Sequence, residues 1–267
     1  MKPPPRCAGP GDAEEANEAS MMDGTPLFNS VAPLRNVGAL VELVDRVQKR
    51  GHGLPGMATF YGPSGFGKTT AAIYAANRFK AYQVQVKSAW TTRKLCTAIL
   101  QDLAVPAART IADMVDQIAE EIARSARPLI IDEADHLVSR NMIEIVRDIY
   151  ESSGAAIILI GEELLPQKLQ KWERVHGRML DWVAAEPGDL ADVTHLARIY
   201  CPGVQLDDDL KHLLLKESNA SIRRICVNLD RVREFALTKG LQAVGRADWG
   251  KTGFFTGHAP TPRRIMA

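Results

Sequence analysis

The chain has 267 residues, 46% of them hydrophobic and 24% charged, and its 33 Lys and Arg against 32 Asp and Glu leave a formal net charge of +1. That composition fits a globular chain with a sizeable core and excludes a highly charged disordered chain, a collagen-like repeat and a small disulfide scaffold. No run approaches about 18 consecutive apolar residues, which excludes a transmembrane helix, and no basic-then-apolar leader opens the chain, so a cytoplasmic protein is expected.

The first 24 residues set Lys2 and Arg6 against Asp12, Glu14, Glu15, Glu18 and Asp23 in a Pro/Gly/Ala/Glu-rich run with little to bury. Residues 1–30 are therefore expected to be disordered. Residues 37–47 are apolar at helical spacing, and 57–61 form a short buried-strand candidate that runs into glycines. Helical pattern returns over 69–79, followed by an alternating strand at 82–86 and two helices at 91–103 and 111–124. Pro128 opens the apolar strand 129–131, which ends in Asp132 and Glu133. A helix at 141–151 leads to the strand 155–160, which Gly161 ends. Short apolar strands separated by helices predict an α/β domain over 31–188, with a parallel sheet covered by helices on both faces.

Past Pro187-Gly188 the β-branched strands stop. Asp189 can cap a helix to Tyr200, Pro202-Gly203 makes a turn, and two further helices fit 208–217 and 221–238. These residues, 189–240, predict a small all-helical lid domain. From Lys239 onward, Lys239, Arg246, Lys251, Arg263 and Arg264 face only Asp248. Residues 241–267 read as a basic tail carrying Trp249, Phe254 and Phe255. A docking segment and a tail that packs back on its own domain are both open readings. Cys7, Cys96, Cys201 and Cys226 form no CxxC pair, and Cys96 and Cys226 sit at helical spacing among apolar residues, as small core hydrophobes do. The six histidines form no HxxxH cluster, so no zinc site is expected.

The strongest chemical signal is the run Gly62-Pro63-Ser64-Gly65-Phe66-Gly67-Lys68-Thr69, which fits G-x-x-x-x-G-K-[ST] between a strand and a helix. Glycines let backbone N–H groups converge on a phosphate chain, and the helix N-terminus adds partial positive charge. Lys68 is expected on the β- and γ-phosphates and Thr69 on Mg²⁺, with Thr70 completing the nucleotide-binding set. A second element agrees. Leu129-Ile130-Ile131-Asp132-Glu133 places carboxylates where a buried strand ends, the edge at which ligands collect in open α/β sheets. Asp132 is expected to hold Mg²⁺ through water, and Glu133 to polarise the attacking water. Asp135 and His136 read as a polar turn that caps the next helix.

Together the phosphate loop, the Asp-Glu strand end and the helical second domain resemble an AAA+ ATPase. Within that group, GPSGFGKTTAAIYAAN, VKSAWTTRKLC, IIDEADHLVSRNMIEIVRDIYESSGAAIILIGEE and ASIRRICVNLDRV resemble the target-DNA-capture ATPases of transposition, typified by the B protein of Mu-like phages. The resemblance implies ATP and Mg²⁺ as cofactors, a lid arginine at Arg223, and an arginine finger offered to a neighbouring subunit by Arg178 or, second, Arg174. It also implies self-association into a ring or filament, duplex DNA bound without sequence preference, and a transposase as partner. One departure stands out: where relatives carry a neutral polar residue near the end of the strand at 155–160, this chain has Ile160-Gly161-Glu162-Glu163. A glutamate beside the γ-phosphate would repel it unless turned outward.

For DNA, the resemblance points to the loop with Lys87, Thr91, Thr92, Arg93 and Lys94, whose basic and hydroxyl groups suit phosphate oxygens and carry no base information. On the last helix, Ile222, Ile225, Cys226, Leu229 and Val232 form an apolar stripe, leaving Arg224, Asn228 and Arg231 as a second candidate face. The same fold also serves helicase loaders and replication initiators. Further alternatives are a P-loop ATPase of secretion or signalling without DNA binding, and a P-loop kinase for a small metabolite.

Overall fold

A computed structural model describes residues 34–257. The expected disordered segment 1–30 and the final Pro/Arg-rich stretch lie outside the described residues. The chain begins with helix α1 (Arg35–Gln48), then strand β1 (Met57–Tyr61) and α2 (Lys68–Phe79). Next come β2 (Tyr82–Gln85), α3 (Thr92–Asp102), α4 (Ile111–Ser125), β3 (Leu129–Asp132), the short α5 (Asp135–Ser139), α6 (Ile143–Ser153) and β4 (Ile157–Gly161). Two short helices, α7 (Leu165–Gln170) and α8 (Glu173–His176), lead to β5 (Met179–Ala184). The five strands form one parallel sheet in the order β2-β3-β4-β1-β5.

Strand periodicity divides the core between the two faces. Ala58, Phe60, Ile130, Ile158 and Ile160 pack on the α1–α2 side. Their neighbours Met57, Leu129, Ile131, Ile157 and Leu159 pack on the side of α3, α4 and α6. Both faces are covered, so β3 and β4 read as unbroken apolar runs. The α/β fold with helices on both faces is therefore as expected. β5 was not anticipated. It is an edge strand, only half-buried, and its Met-Leu-Asp-Trp-Val-Ala sequence lacks a long apolar run. Asp181 within it pairs with Arg46 of α1, so the polar residue that obscures the strand is the one that ties it down.

The lid comprises α9 (Leu190–Tyr200), α10 (Asp208–Glu217) and α11 (Ile222–Lys239). Asp189 caps α9 in a reciprocal capping box with Asp192. The lid does not stop at residue 240. β6 (Gln205–Leu206) pairs with β7 (Ala243–Val244), and α12 (Arg246–Trp249) follows. Trp249 is buried, edge-on to Phe235 at 5.1 Å between ring centroids and stacked on Phe254 at 4.8 Å. Residues 241–257 thus pack back on their own domain because their aromatic rings complete its core. Among the described residues no helix is long and apolar enough to cross a membrane.

Candidate nucleotide site at the sheet–lid junction

Register brings the chemistry to one edge. Tyr61 lies opposite Gly161, and Asp132 opposite Gln85, so the turns after β1, β3 and β4 share the C-terminal edge of the sheet. The loop after β1 doubles back through Gly65 (φ +87°) and Gly67 (φ +82°), left-handed conformations open to glycine. Gly67 is also the N-cap of α2, so the loop delivers the backbone to a helix N-terminus. Lys68 Nζ donates to the carbonyls of Gly62 (2.6 Å) and Pro63 (2.9 Å), which holds the ammonium over the loop. Burial lowers its pKa, and the negative charges of Glu133 and Asp132 oppose that shift.

Thr69 Oγ1 donates to Asp132 Oδ2 at 2.9 Å, joining the two motifs that lie 63 residues apart in sequence. Asp132 is 2% exposed, and its other oxygen accepts the Glu133 N–H at 2.9 Å. Glu133 adopts φ +57°, a left-handed conformation that a non-glycine residue takes at some energetic cost and that recurs at functional sites. Burial raises the Glu133 pKa above that of an ordinary carboxylate, and the neighbouring Asp132 adds to the rise. These side chains line a cleft of about 380 Å³ that Arg223 closes from the lid.

The lid is fastened to the phosphate loop by backbone. The Arg223 N–H donates to the Gly65 carbonyl at 3.0 Å, and the Arg223 guanidinium reaches Ser64 Oγ at 3.4 Å. A Cβ on Gly65 would sit 2.6 Å from Ser221 Oγ, so the glycine also makes room for the lid. Sequence reasoning missed Asn36. Its buried amide donates to the carbonyls of Phe66 and Glu186, both at 2.8 Å, and accepts the Glu186 N–H at 2.9 Å. One side chain thereby links α1, the phosphate loop and the exit from β5.

Asp135, expected as a helix cap, has a more distant role. Its carboxylate accepts the Glu162 N–H and the Lys168 ammonium, each at 2.6 Å. The Glu162 side chain lines the cleft while remaining 66% exposed.

Arg178 and Arg174 lie elsewhere. The Arg178 carbonyl accepts the Met57 N–H at the start of β1, so it stands at the N-terminal edge, roughly 16 Å of strand away from Gly62. The Arg178 guanidinium pairs with Glu151 of α6. Arg174, exposed on α8, has no ion-pair partner among the described residues.

Of the residues expected on DNA, the structure separates free from engaged groups. Lys87 is exposed beyond β2, on the same edge as the cleft. Lys94 is exposed, its ammonium 5.8 Å from the Trp90 ring centroid. Thr91 caps α3 by accepting the Lys94 N–H at 3.4 Å, and Thr92 is half-buried. Both terminal nitrogens of Arg93 donate to the Arg109 carbonyl at 2.9 Å. The second candidate face is corrected: Asn228 is fully buried, bonded to Ser218 Oγ and to both backbone groups of Phe255. Residues beyond α11 wrap over it, so it does not share a solvent face with Arg224 and Arg231.

A parallel sheet in this order, a phosphate loop after β1, an Asp-Glu pair after β3 and a helical lid over the loop define the AAA+ P-loop fold. A family model described as an AAA domain matches residues 52–169. Among solved structures, the chain is similar to the ORC1 protein of Aeropyrum pernix in complex with DNA, with 19% identity and a TM-score of 0.56 over 80% of this chain and 62% of that one. It is similar to the ORC2 protein of the same organism in its ADPNP-ADP complexes (16%, TM-score 0.60, 79% and 64%). CDC6P from Pyrobaculum aerophilum is also similar (16%, TM-score 0.55, 86% and 67%). The chain thus spans 62% and 64% of the length of the two Aeropyrum proteins. The search of curated proteins returned no match.

Proposed function

We propose that this protein is an ATP-dependent, sequence-tolerant duplex-DNA-binding ATPase that oligomerises on target DNA and presents it to a transposase. The observation that carries the nucleotide part is the hydrogen bond from Thr69 to Asp132, with Lys68 beside it and Glu133 next in the chain. A hydroxyl and a buried carboxylate side by side are hard oxygen donors of the kind Mg²⁺ takes together with substrate phosphates and water. Thr69 and Asp132 would hold that ion, which neutralises phosphate charge when bound.

The phosphate chain of ATP exchanges for the two carbonyls that now hold Lys68. Glu133 orients a water and accepts its proton as the oxygen attacks the γ-phosphorus. The bond to the β–γ bridging oxygen breaks, giving ADP and phosphate. Arg223 binds the nucleotide from the lid. Arg178 stands too far from its own cleft to reach it, which suits a finger inserted into a neighbour's site.

The transposition reading is supported by the sequence stretches that resemble target-capture ATPases, and by exposed Lys87 beyond β2 and exposed Lys94 in the first turn of α3. A second reading, replication initiator or helicase loader, is supported by the likeness in fold to the DNA-bound ORC1 protein of Aeropyrum pernix. Cosedimentation with random-sequence duplex DNA under ATP, ADP and no nucleotide tests both. The expected result is ATP-dependent pelleting, lost in Lys68→Ala and falling about 10³-fold or more between 50 and 200 mM salt if six phosphates are neutralised. Stimulation of a transposase by the DNA-bound protein then separates the first reading. Preference for one origin sequence or for single strands would favour the second. Absence of DNA binding in every nucleotide state would refute both.

A further inference from the structure

The glutamate at the end of β4 poses an electrostatic problem. Asp132, Glu133, Asp135 and Glu162 all lie close enough to act on the Lys68 ammonium. A triphosphate entering the cleft adds further negative charge at the end where Glu162 stands. Without compensation, the Glu162 carboxylate opposes the terminal phosphate.

The compensation comes from α7. Lys168 Nζ sits 2.6 Å from Asp135 Oδ1 and 3.9 Å from Glu162 Oε2. Among the described residues, Lys168 is the ion-pair partner of Glu162. Asp135 is the anchor for both, since its second oxygen takes the Glu162 N–H. A Cβ at Gly161 would run into that same Asp135 oxygen and into Leu165. The turn after β4 is therefore packed directly on the carboxylate that holds the lysine.

We propose that Lys168 is a positioning residue for the nucleotide site. Fixed on Asp135, its ammonium draws the Glu162 carboxylate outward and offsets its charge, so that the cleft admits a triphosphate although a glutamate stands at its lip. This inference rests on the reading of the cleft as an ATP site.

The test is equilibrium binding of fluorescent ATP and ADP analogues, with Mg²⁺, to wild type, Lys168→Met, Glu162→Gln and the double variant. Glu162 is 66% exposed, and at water-like screening a unit charge about 4 Å from a phosphate changes affinity about fivefold. Lys168→Met should weaken ATP by about that factor and ADP by less than about twofold, because ADP lacks the phosphate nearest Glu162. Glu162→Gln should change ATP affinity little alone, yet restore it in the Lys168→Met background. Lys168→Arg, which keeps the charge, should bind ATP like wild type.

Equal weakening of ATP and ADP by Lys168→Met, with no restoration by Glu162→Gln, would reduce Lys168 to a packing partner of Asp135 and overturn the proposal. Unchanged ATP affinity in Lys168→Met would do the same. Wild-type protein that binds neither nucleotide, and behaves like Lys68→Ala, would instead overturn the ATP-site reading itself. Thermal unfolding of each variant separates lost binding from lost fold. Glu162→Gln, at an exposed position, keeps the coupling measurable from one side.

Discussion

Replacing Asn36 by Ala removes three hydrogen bonds at one point: two donated to the carbonyls of Phe66 and Glu186, and one accepted from the Glu186 N–H. The side chain is only 6% exposed, so water cannot readily replace it. A buried polar group left without a partner costs about 1–3 kcal/mol. Three such groups at the low end of that range give a loss of about 3 kcal/mol. Asn36 is the second residue of α1, where Ala gains back about 0.5 kcal/mol in helix propensity. The net expectation is about 2–3 kcal/mol, or a fall of about 6–10 °C in Tm for a domain of this size. Urea unfolding and calorimetry of the nucleotide-free protein measure it. Asn36→Asp is the sharper control: it keeps the shape and one acceptor, but turns a carboxylate toward two carbonyl oxygens. It should be no more stable than Asn36→Ala, despite a favourable charge in the first helical turn. An Asn36→Ala loss below about 0.5 kcal/mol, or an Asp variant clearly more stable than the Ala variant, would refute the latch.

Glu133→Gln should retain ATP binding, abolish hydrolysis and raise the stability of the nucleotide-free protein at pH 8. Burial raises the folded-state pKa of Glu133 above its ordinary 4.5, so the folded chain holds that proton longer and stability is lost as pH rises through the raised value. The gain in Tm should therefore vanish below about pH 4, where both side chains are neutral; a constant gain would show that charge is not the cause. Trp249→Ala, emptying a buried site between Phe235 and Phe254, should cost about 3–5 kcal/mol in urea unfolding, whereas a detached tail would show almost none. On DNA, the double variant Lys87→Ala/Lys94→Ala should lower the slope of log affinity against log salt by about 2. Arg93→Ala should leave that slope nearly unchanged and lower Tm, since its guanidinium is spent on the Arg109 carbonyl.

The phosphate loop and the Asp132-Glu133 pair were legible because each is local. The glycines, the lysine and the hydroxyl lie within eight residues, and the carboxylates close a run of apolar strand. What escaped depends on partners far along the chain. Asn36 meets residue 186 across 150 positions, and nothing in its neighbourhood distinguishes it from a polar residue at a helix start. Asp135 looked like a cap because its partners, Glu162 and Lys168, are 27 and 33 residues away. Asn228 sat at helical spacing with two arginines, and only the return of Phe255 buries it. β5 was missed for a related reason: an edge strand needs one apolar side, and Asp181 broke the pattern that a central strand would have kept.

Arg178 at one edge of the sheet and the cleft at the other give the molecule a head and a tail. If the arginine of one copy completes the cleft of the next, the contact is between unlike surfaces, and such contacts either close into a ring or run on indefinitely. In an open row, the copy at one terminus has a filled cleft with no arginine supplied to it, while the copy at the other terminus offers an arginine to nothing. Every nucleotide that lies between two copies can then be consumed, while the one at the unserved terminus joins no neighbour and persists. Such a row has two chemically different ends, a distinction set by the chain's own fold.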